Sequence, residues 1–189
     1  MPDKIGIGNI LWVKGAIVKT IKAKPVDYAE KAAPKDFSKM SSQEFIRAIA
    51  PYAQASQEAT GVPASVTIAQ AILETGWGKY AHRIPNNFFG MKGTGPAGSV
   101  VVTTREYEEG RFVVKKQRFR KYHNIEESFA DHARLIVNRF PHAMKHRDNP
   151  DRFAEALIEK KEPKYATGPD YAKSLKRLMK QYDLYKYDR

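Results

Sequence analysis

A glutamate placed where an apolar helix runs out is a natural seat for a proton donor. Residues 70–78 read Gln-Ala-Ile-Leu-Glu-Thr-Gly-Trp-Gly, which puts Glu74 in the last helical turn, just before a glycine-flanked Trp77. A carboxyl held against an apolar wall is costly to ionise, so its pKa rises and it keeps a proton near neutral pH. A partner acid is available downstream, where Glu106, Glu108 and Glu109 stand in a β-rich stretch. Strand alternation puts Glu106 and Glu108 on one face and leaves Glu109 in a turn. One protonated and one ionised carboxyl facing each other can cleave a glycosidic bond: the first assists the leaving oxygen, the second activates water, attacks the sugar or steadies positive charge. Gln70 lies one turn before Glu74 on the same helical face, where it can orient the acid or touch a ligand. The five histidines show no ligand-like spacing beyond His142 and His146. That pair lacks the intervening Glu of a zinc-protease helix, so no metal site is expected.

These residues need a scaffold, and its outline is readable. Ser41 and Glu44 have capping-box spacing, and Phe45, Ile46 and Ile49 follow at helical intervals, so a helix is expected from Ser41, with Pro51 kinking or shortening it and Gly61 as a stop. Pro63 opens a second helix whose Val66, Ile68, Ala69, Ile72 and Leu73 recur densely enough for burial on several sides. It ends at Gly76 and Gly78. After a loop holding Pro85, Asn86 and Asn87, the segments 100–107 and 111–119 read as a hairpin around Gly110. Helices are expected again over 126–140, over about 150–159 behind an Asp148-Asn149 cap, and over 169–182. The order predicts an α+β domain, mostly helical, with the hairpin lobe forming one wall of a groove.

Composition sets the outer bounds. A chain of 189 residues at 42% hydrophobic can bury a core and holds one domain plus an arm, divided here as 1–40 and 41–189. The arm carries a candidate hairpin over 10–21 and a Lys-, Ala- and Pro-rich linker. No cysteine is present, which excludes disulfides and thiolate metal sites. Lysines interrupt every apolar stretch near the N-terminus, so neither a membrane span nor a standard secretory signal is expected. The net charge of +12 points to a polyanionic partner, whether nucleic acid, an acidic membrane surface or a bacterial wall carrying carboxylates and phosphates. Nucleic acid is disfavoured, because no DNA- or RNA-binding motif accompanies the charge.

The run Val62-Pro63-Ala64-Ser65-Val66-Thr67-Ile68-Ala69-Gln70-Ala71-Ile72-Leu73-Glu74-Thr75-Gly76-Trp77-Gly78, followed by residues 86–93, Asn-Asn-Phe-Phe-Gly-Met-Lys-Gly, resembles the signature of glycoside hydrolase family 73. Segments 104–107, 119–122, 128–132 and 165–172 resemble its later blocks, so the likeness runs from about 41 to 187. Members of this family are bacterial endo-β-N-acetylglucosaminidases that cut peptidoglycan, among them the wall-cutting domain of a flagellar rod-assembly protein. The resemblance implies a lysozyme-like fold and assigns Glu74 as general acid, Glu106 as second acid and Tyr165 as a tyrosine that positions the reacting sugar. Substrate contacts are expected from Gln70, Trp77, Asn87, Phe89 and Tyr122; for Trp77, packing that supports Glu74 competes with stacking on a sugar. The resemblance further implies cleavage of the β-1,4 bond after N-acetylglucosamine, no metal or organic cofactor, and action at the bacterial wall or periplasm. Delivery would then use phage lysis, a phage tail or secretion machinery, with residues 1–40 as a docking arm for a phage, secretion or assembly partner. The rival expectations are a muramidase or lytic transglycosylase on a related fold, and a non-catalytic wall-binding assembly protein.

Overall fold

A computed structural model describes residues 36–80, 84–108, 111–159, 165, 166, 168 and 170–189, with side chains throughout except at 104–112. The arm hairpin expected over 10–21, and the linker up to residue 35, lie outside the described residues. Among the described residues, packing reaches upstream of 41. The reason is Phe37, in a short 3-10 turn over Phe37–Lys39, whose ring meets Phe45 and Phe88 edge-on at centroid distances of 6.0 and 5.2 Å.

Helix α1 spans Ser42–Thr60. Ser41 closes its N-terminus as the spacing predicts: Ser41 N donates to Glu44 Oε2 at 2.9 Å, and Glu44 N donates to Ser41 Oγ at 3.3 Å. Gly61, in the left-handed region at φ 80°, ends it. Pro51 neither shortens nor stops the helix. An interior proline costs about 3 kcal/mol, and the buried stripe of Phe45, Ile46, Ile49, Ala50 and Ala53 on this helix outweighs that.

Helix α2, Ala64–Thr75, is the centre of the domain, with ten of its twelve residues buried. It packs against α1, against the later helices over Pro150–Ala156 and Tyr171–Gln181, and against the 3-10 turn over Leu184–Tyr187. Pro63 at its N-cap offers no side-chain acceptor. The exposed amides are met from elsewhere instead, since Asp188 Oδ1 accepts from Ser65 N at 2.8 Å and Gln57 Oε1 from Ala64 N at 3.2 Å. At the other end Gly76, Trp77 and Gly78 all take positive φ, at 56°, 63° and 78°. Thr75 staples this turn by donating to Ala71 O at 2.7 Å while accepting from Gly78 N at 2.9 Å. Only glycine fits at 78, because an added Cβ would lie 2.6 Å from Phe37 Cβ.

Strands β1 (Ser99–Glu108) and β2 (Arg111–Arg120) pair antiparallel with Val100 opposite Phe119 and Glu106 opposite Val113. The turn expected around Glu109 and Gly110 lies outside the described residues. Exposure alternates as one solvated face requires, with Val101 and Val114 outward and Val102 and Val113 more covered. Four more helices follow: α3 (Ile125–Arg139), α4 (Pro141–Met144), α5 (Pro150–Ala156) and α6 (Tyr171–Gln181). Asn124 and Asn149 cap α3 and α5 with their side-chain oxygens. The single turn α4 had no sequence signal of its own, and α5 stops short of the expected Glu159. The result is a mostly helical α+β domain with one small two-stranded sheet.

Candidate active site

Glu74 stands in the last turn of α2, where the buried helix reaches the surface. The residue is open to solvent, yet the surrounding protein raises the pKa of its carboxyl above the usual carboxylate range by desolvation. A group accessible from one side and desolvated on the other is the arrangement a proton donor needs. Its neighbour across the gap is the 84–93 loop, for an added Cβ at Gly90 would lie 3.5 Å from Glu74 Oε2. Gly90 is also left-handed at φ 59°, so any side chain there would meet both strain and the acid.

Two tyrosines complete this region. Tyr165 stacks on Tyr171 with ring centroids 5.6 Å apart and planes 28° from parallel. Its backbone is pinned by donation from Tyr165 N to Leu157 O at 2.9 Å. Burial first, then Tyr171 and Glu74, push the Tyr165 phenol well above its ordinary range. Tyr171 is also pushed up, chiefly by burial and further by Glu74, against the opposing effect of a hydrogen bond from Gln70. Both phenols therefore stay neutral, and both feel the charge of Glu74.

Gln70 is 0% exposed, so it reaches Tyr171 rather than a ligand: Gln70 Nε2 donates to Tyr171 Oη at 3.0 Å. Behind Tyr165 lies His132, also 0% exposed, stacked on Phe89 at 3.9 Å and meeting Tyr165 edge-on at 5.9 Å. Neither ring nitrogen of His132 has a hydrogen-bond partner, and burial, partly opposed by Asp131, pulls its pKa down to about 3.

Several expected substrate contacts are instead spent inside the fold. Asn87, 6% exposed, donates to Met91 O and Arg120 O and accepts from Met91 N, at 2.9 to 3.0 Å. Tyr122 is buried and donates to Asp131 Oδ2 at 2.6 Å, the same oxygen that receives Arg120 Nη1 at 2.6 Å. Arg120 Nε also reaches Lys92 O at 3.0 Å. Together these groups clamp the base of β2 to the 84–93 loop and to α3. Phe89 is buried against Phe129 and His132, and Trp77 packs on Phe45 and Tyr182, with 4.7 Å between the centroids of the latter pair. Asn87 and Tyr122 therefore brace the fold, and Phe89 and Trp77 pack it. Glu106 and Glu108 share a strand face by register, and their side chains lie outside the described residues.

The structure thus brings Glu74, Gln70, Tyr165 and Tyr171 together. Tyr171 and His132 were present in the sequence blocks without a role. The spacing of two tyrosines flanking one turn was the available signal for the first; burial of the second had none. Among the described residues no group of three or more His, Asp or Glu side chains stands close enough to share a metal ion, and His142 is engaged with Ala156 O at 2.8 Å. Nor is any helix among them long and apolar enough to cross a membrane.

A buried helix ending in an acid, beside a small antiparallel hairpin, defines a lysozyme-like glycoside hydrolase domain. The chain belongs to the glucosaminidase family, glycoside hydrolase family 73, whose description, mannosyl-glycoprotein endo-β-N-acetylglucosaminidase, matches residues 50–184. It is similar to the exo-glucosaminidase LytG of Bacillus subtilis, at 34% identity over 91% of this chain and 61% of that protein. It is also 39% identical to a probable N-acetylmuramidase of Lactococcus lactis subsp. cremoris, over 78% of this chain and 35% of the relative. Among solved structures, the catalytic domain of the autolysin Auto from Listeria monocytogenes superposes with a TM-score of 0.69 at 30% identity, covering 85% of this chain and 92% of that domain. The chain therefore spans about a third of one of these curated relatives and three fifths of the other.

Proposed function

We propose that this chain hydrolyses the glycan strands of bacterial peptidoglycan, cutting the β-1,4 bond on the reducing side of N-acetylglucosamine. Glu74 protonates the leaving oxygen, Glu106 on the hairpin supplies the second carboxylate, and Tyr165 positions the sugar. The observation that carries this reading is Glu74 itself, an accessible carboxyl whose ionisation burial disfavours, at the end of the helix that holds the family signature. The basic surface supports it as well, because a cationic enzyme meets an anionic wall polymer more often, an attraction that added salt screens. Action at the cell wall or periplasm follows from the substrate, and residues 1–40 are proposed to dock a delivery or assembly partner.

Digesting purified wall and sequencing the products by mass spectrometry tests the bond assignment. N-acetylglucosamine at the new reducing end is the expected result; N-acetylmuramic acid or its anhydro form overturns it. The muramidase reading has one observation in its favour, the name of the Lactococcus relative. Two routes to the glucosaminidase products differ in stereochemistry: direct attack by a water that Glu106 activates inverts the anomeric centre, while attack by the sugar's own acetamide retains it. The anomer present in the first seconds of reaction distinguishes them.

A further inference from the structure

The Gln70–Tyr171 pair sits beside the proposed acid, and its hydrogen bond has a direction. Gln70 Nε2 donates to the Tyr171 oxygen at 3.0 Å, so that oxygen is already an acceptor. A phenol carries one proton, and with a lone pair taken by an amide N–H its own O–H is turned to some other acceptor. Gln70 is fixed in the core of α2, one turn before Glu74, and cannot follow a moving ligand. Tyr171 is half-buried and opens α6 at the edge of the same region, with its ring held flat against Tyr165. Glu74, one turn along α2 from Gln70, acts electrostatically on both stacked phenols, so the three groups lie within reach of one another.

We infer that Tyr171 donates a hydrogen bond to an acceptor oxygen of the sugar whose bond Glu74 protonates, and that Gln70 is a positioning residue that aims this donor. The inference rests on the glycosidase reading above and adds to it a second tyrosine and the residue that orients it. A donor fixed by the core before substrate arrives loses no freedom on binding, which favours the reacting geometry over the ground state. Gln70 thereby links the helix that carries the acid to the phenol that would hold the sugar. Its own carbonyl oxygen, Oε1, is buried without a partner.

Steady-state kinetics on a soluble peptidoglycan fragment, with thermal unfolding measured alongside, test this. Tyr171→Phe should lower kcat about ten- to hundredfold, the range one hydrogen bond at a reacting centre commands, while KM stays within about twofold; the midpoint of unfolding should fall as well, because the buried Gln70 amide loses its acceptor, with the variant still folded at the assay temperature. Gln70→Met, close in shape but without the donor, should lower kcat in the wild-type background and have no further effect when added to Tyr171→Phe. Tyr171→Phe with kcat within about twofold of wild type overturns the inference. So does a loss that appears entirely in KM, or a Gln70→Met effect of equal size in both backgrounds. Tyr171→Phe decides alone if Gln70→Met does not fold. Glu74→Gln, assayed in parallel, keeps the two proposals apart: retained activity there defeats the glycosidase reading itself, whereas an inactive Glu74→Gln with an unimpaired Tyr171→Phe defeats only the present one.

Discussion

The end of α2 and the β-hairpin are held in opposite ways. Helix α2 is buried on nearly all sides, capped from a distance at one end and stapled by Thr75 at the other. The hairpin pairs chiefly with itself and is joined to the helices at its base, through Asn87, Arg120, Tyr122 and Asp131. A carboxyl that must keep its proton needs a fixed, poorly solvated seat, which apolar packing provides. The hairpin, proposed to wall a groove for a polymer, can instead hang from a few polar contacts.

The comparison can be broken most severely at its first member. Glu74→Gln should cut wall lysis by about a thousandfold or more while unfolding and wall binding stay unchanged, since general acid catalysis together with its electrostatics commands that range. Activity within tenfold of wild type would remove Glu74 from the mechanism. The next largest effect comes from His132 behind the tyrosines. Folded, it stays neutral until about pH 3; unfolded, it gains a proton below about 6.5. Between those values the unfolded state binds more protons, so stability falls as pH drops, by up to about 5 kcal/mol at the low end. His132→Phe should flatten that slope between pH 6.5 and 4 in urea titrations, and an unchanged slope would assign acid lability to other groups.

The hairpin clamp is the contrasting test. Tyr122→Phe leaves Asp131 without one of its two 2.6 Å partners and should cost about 1–3 kcal/mol. Hydrogen exchange should then accelerate in β1, β2 and the 84–93 loop while α2 keeps its protection; equal acceleration in both would show that wall and floor unfold as one. The smallest effect is expected at the cap. Asp188→Ala should cost about 1 kcal/mol in denaturant unfolding, with Glu74-dependent activity largely preserved.

What the sequence revealed follows the same division between local and distant. Ser41 and Glu44 fix the start of α1 within one turn of chain, and Gly76 and Gly78 end α2 by backbone conformation alone, so both were legible. The strand pair was legible because alternation is local. The polarity of Asn87 suggested a ligand, whereas its partners inside the fold, Arg120 among them, are set by tertiary folding and were not legible. The pairing of Gln70 with Tyr171 spans 101 positions and leaves no periodic trace. Pro51 misled in the other direction, its local penalty being overridden by the buried face of α1.

Asp188 caps α2 across 123 positions of sequence, together with Gln57, which also binds Arg189. The first turn of α2 is thus satisfied by a segment more than a hundred positions downstream, so this end of the helix is complete only when the segment over Leu184–Tyr187 and the residues after it have docked. Any alteration within residues 184–189 therefore acts on the end of α2 opposite to Glu74.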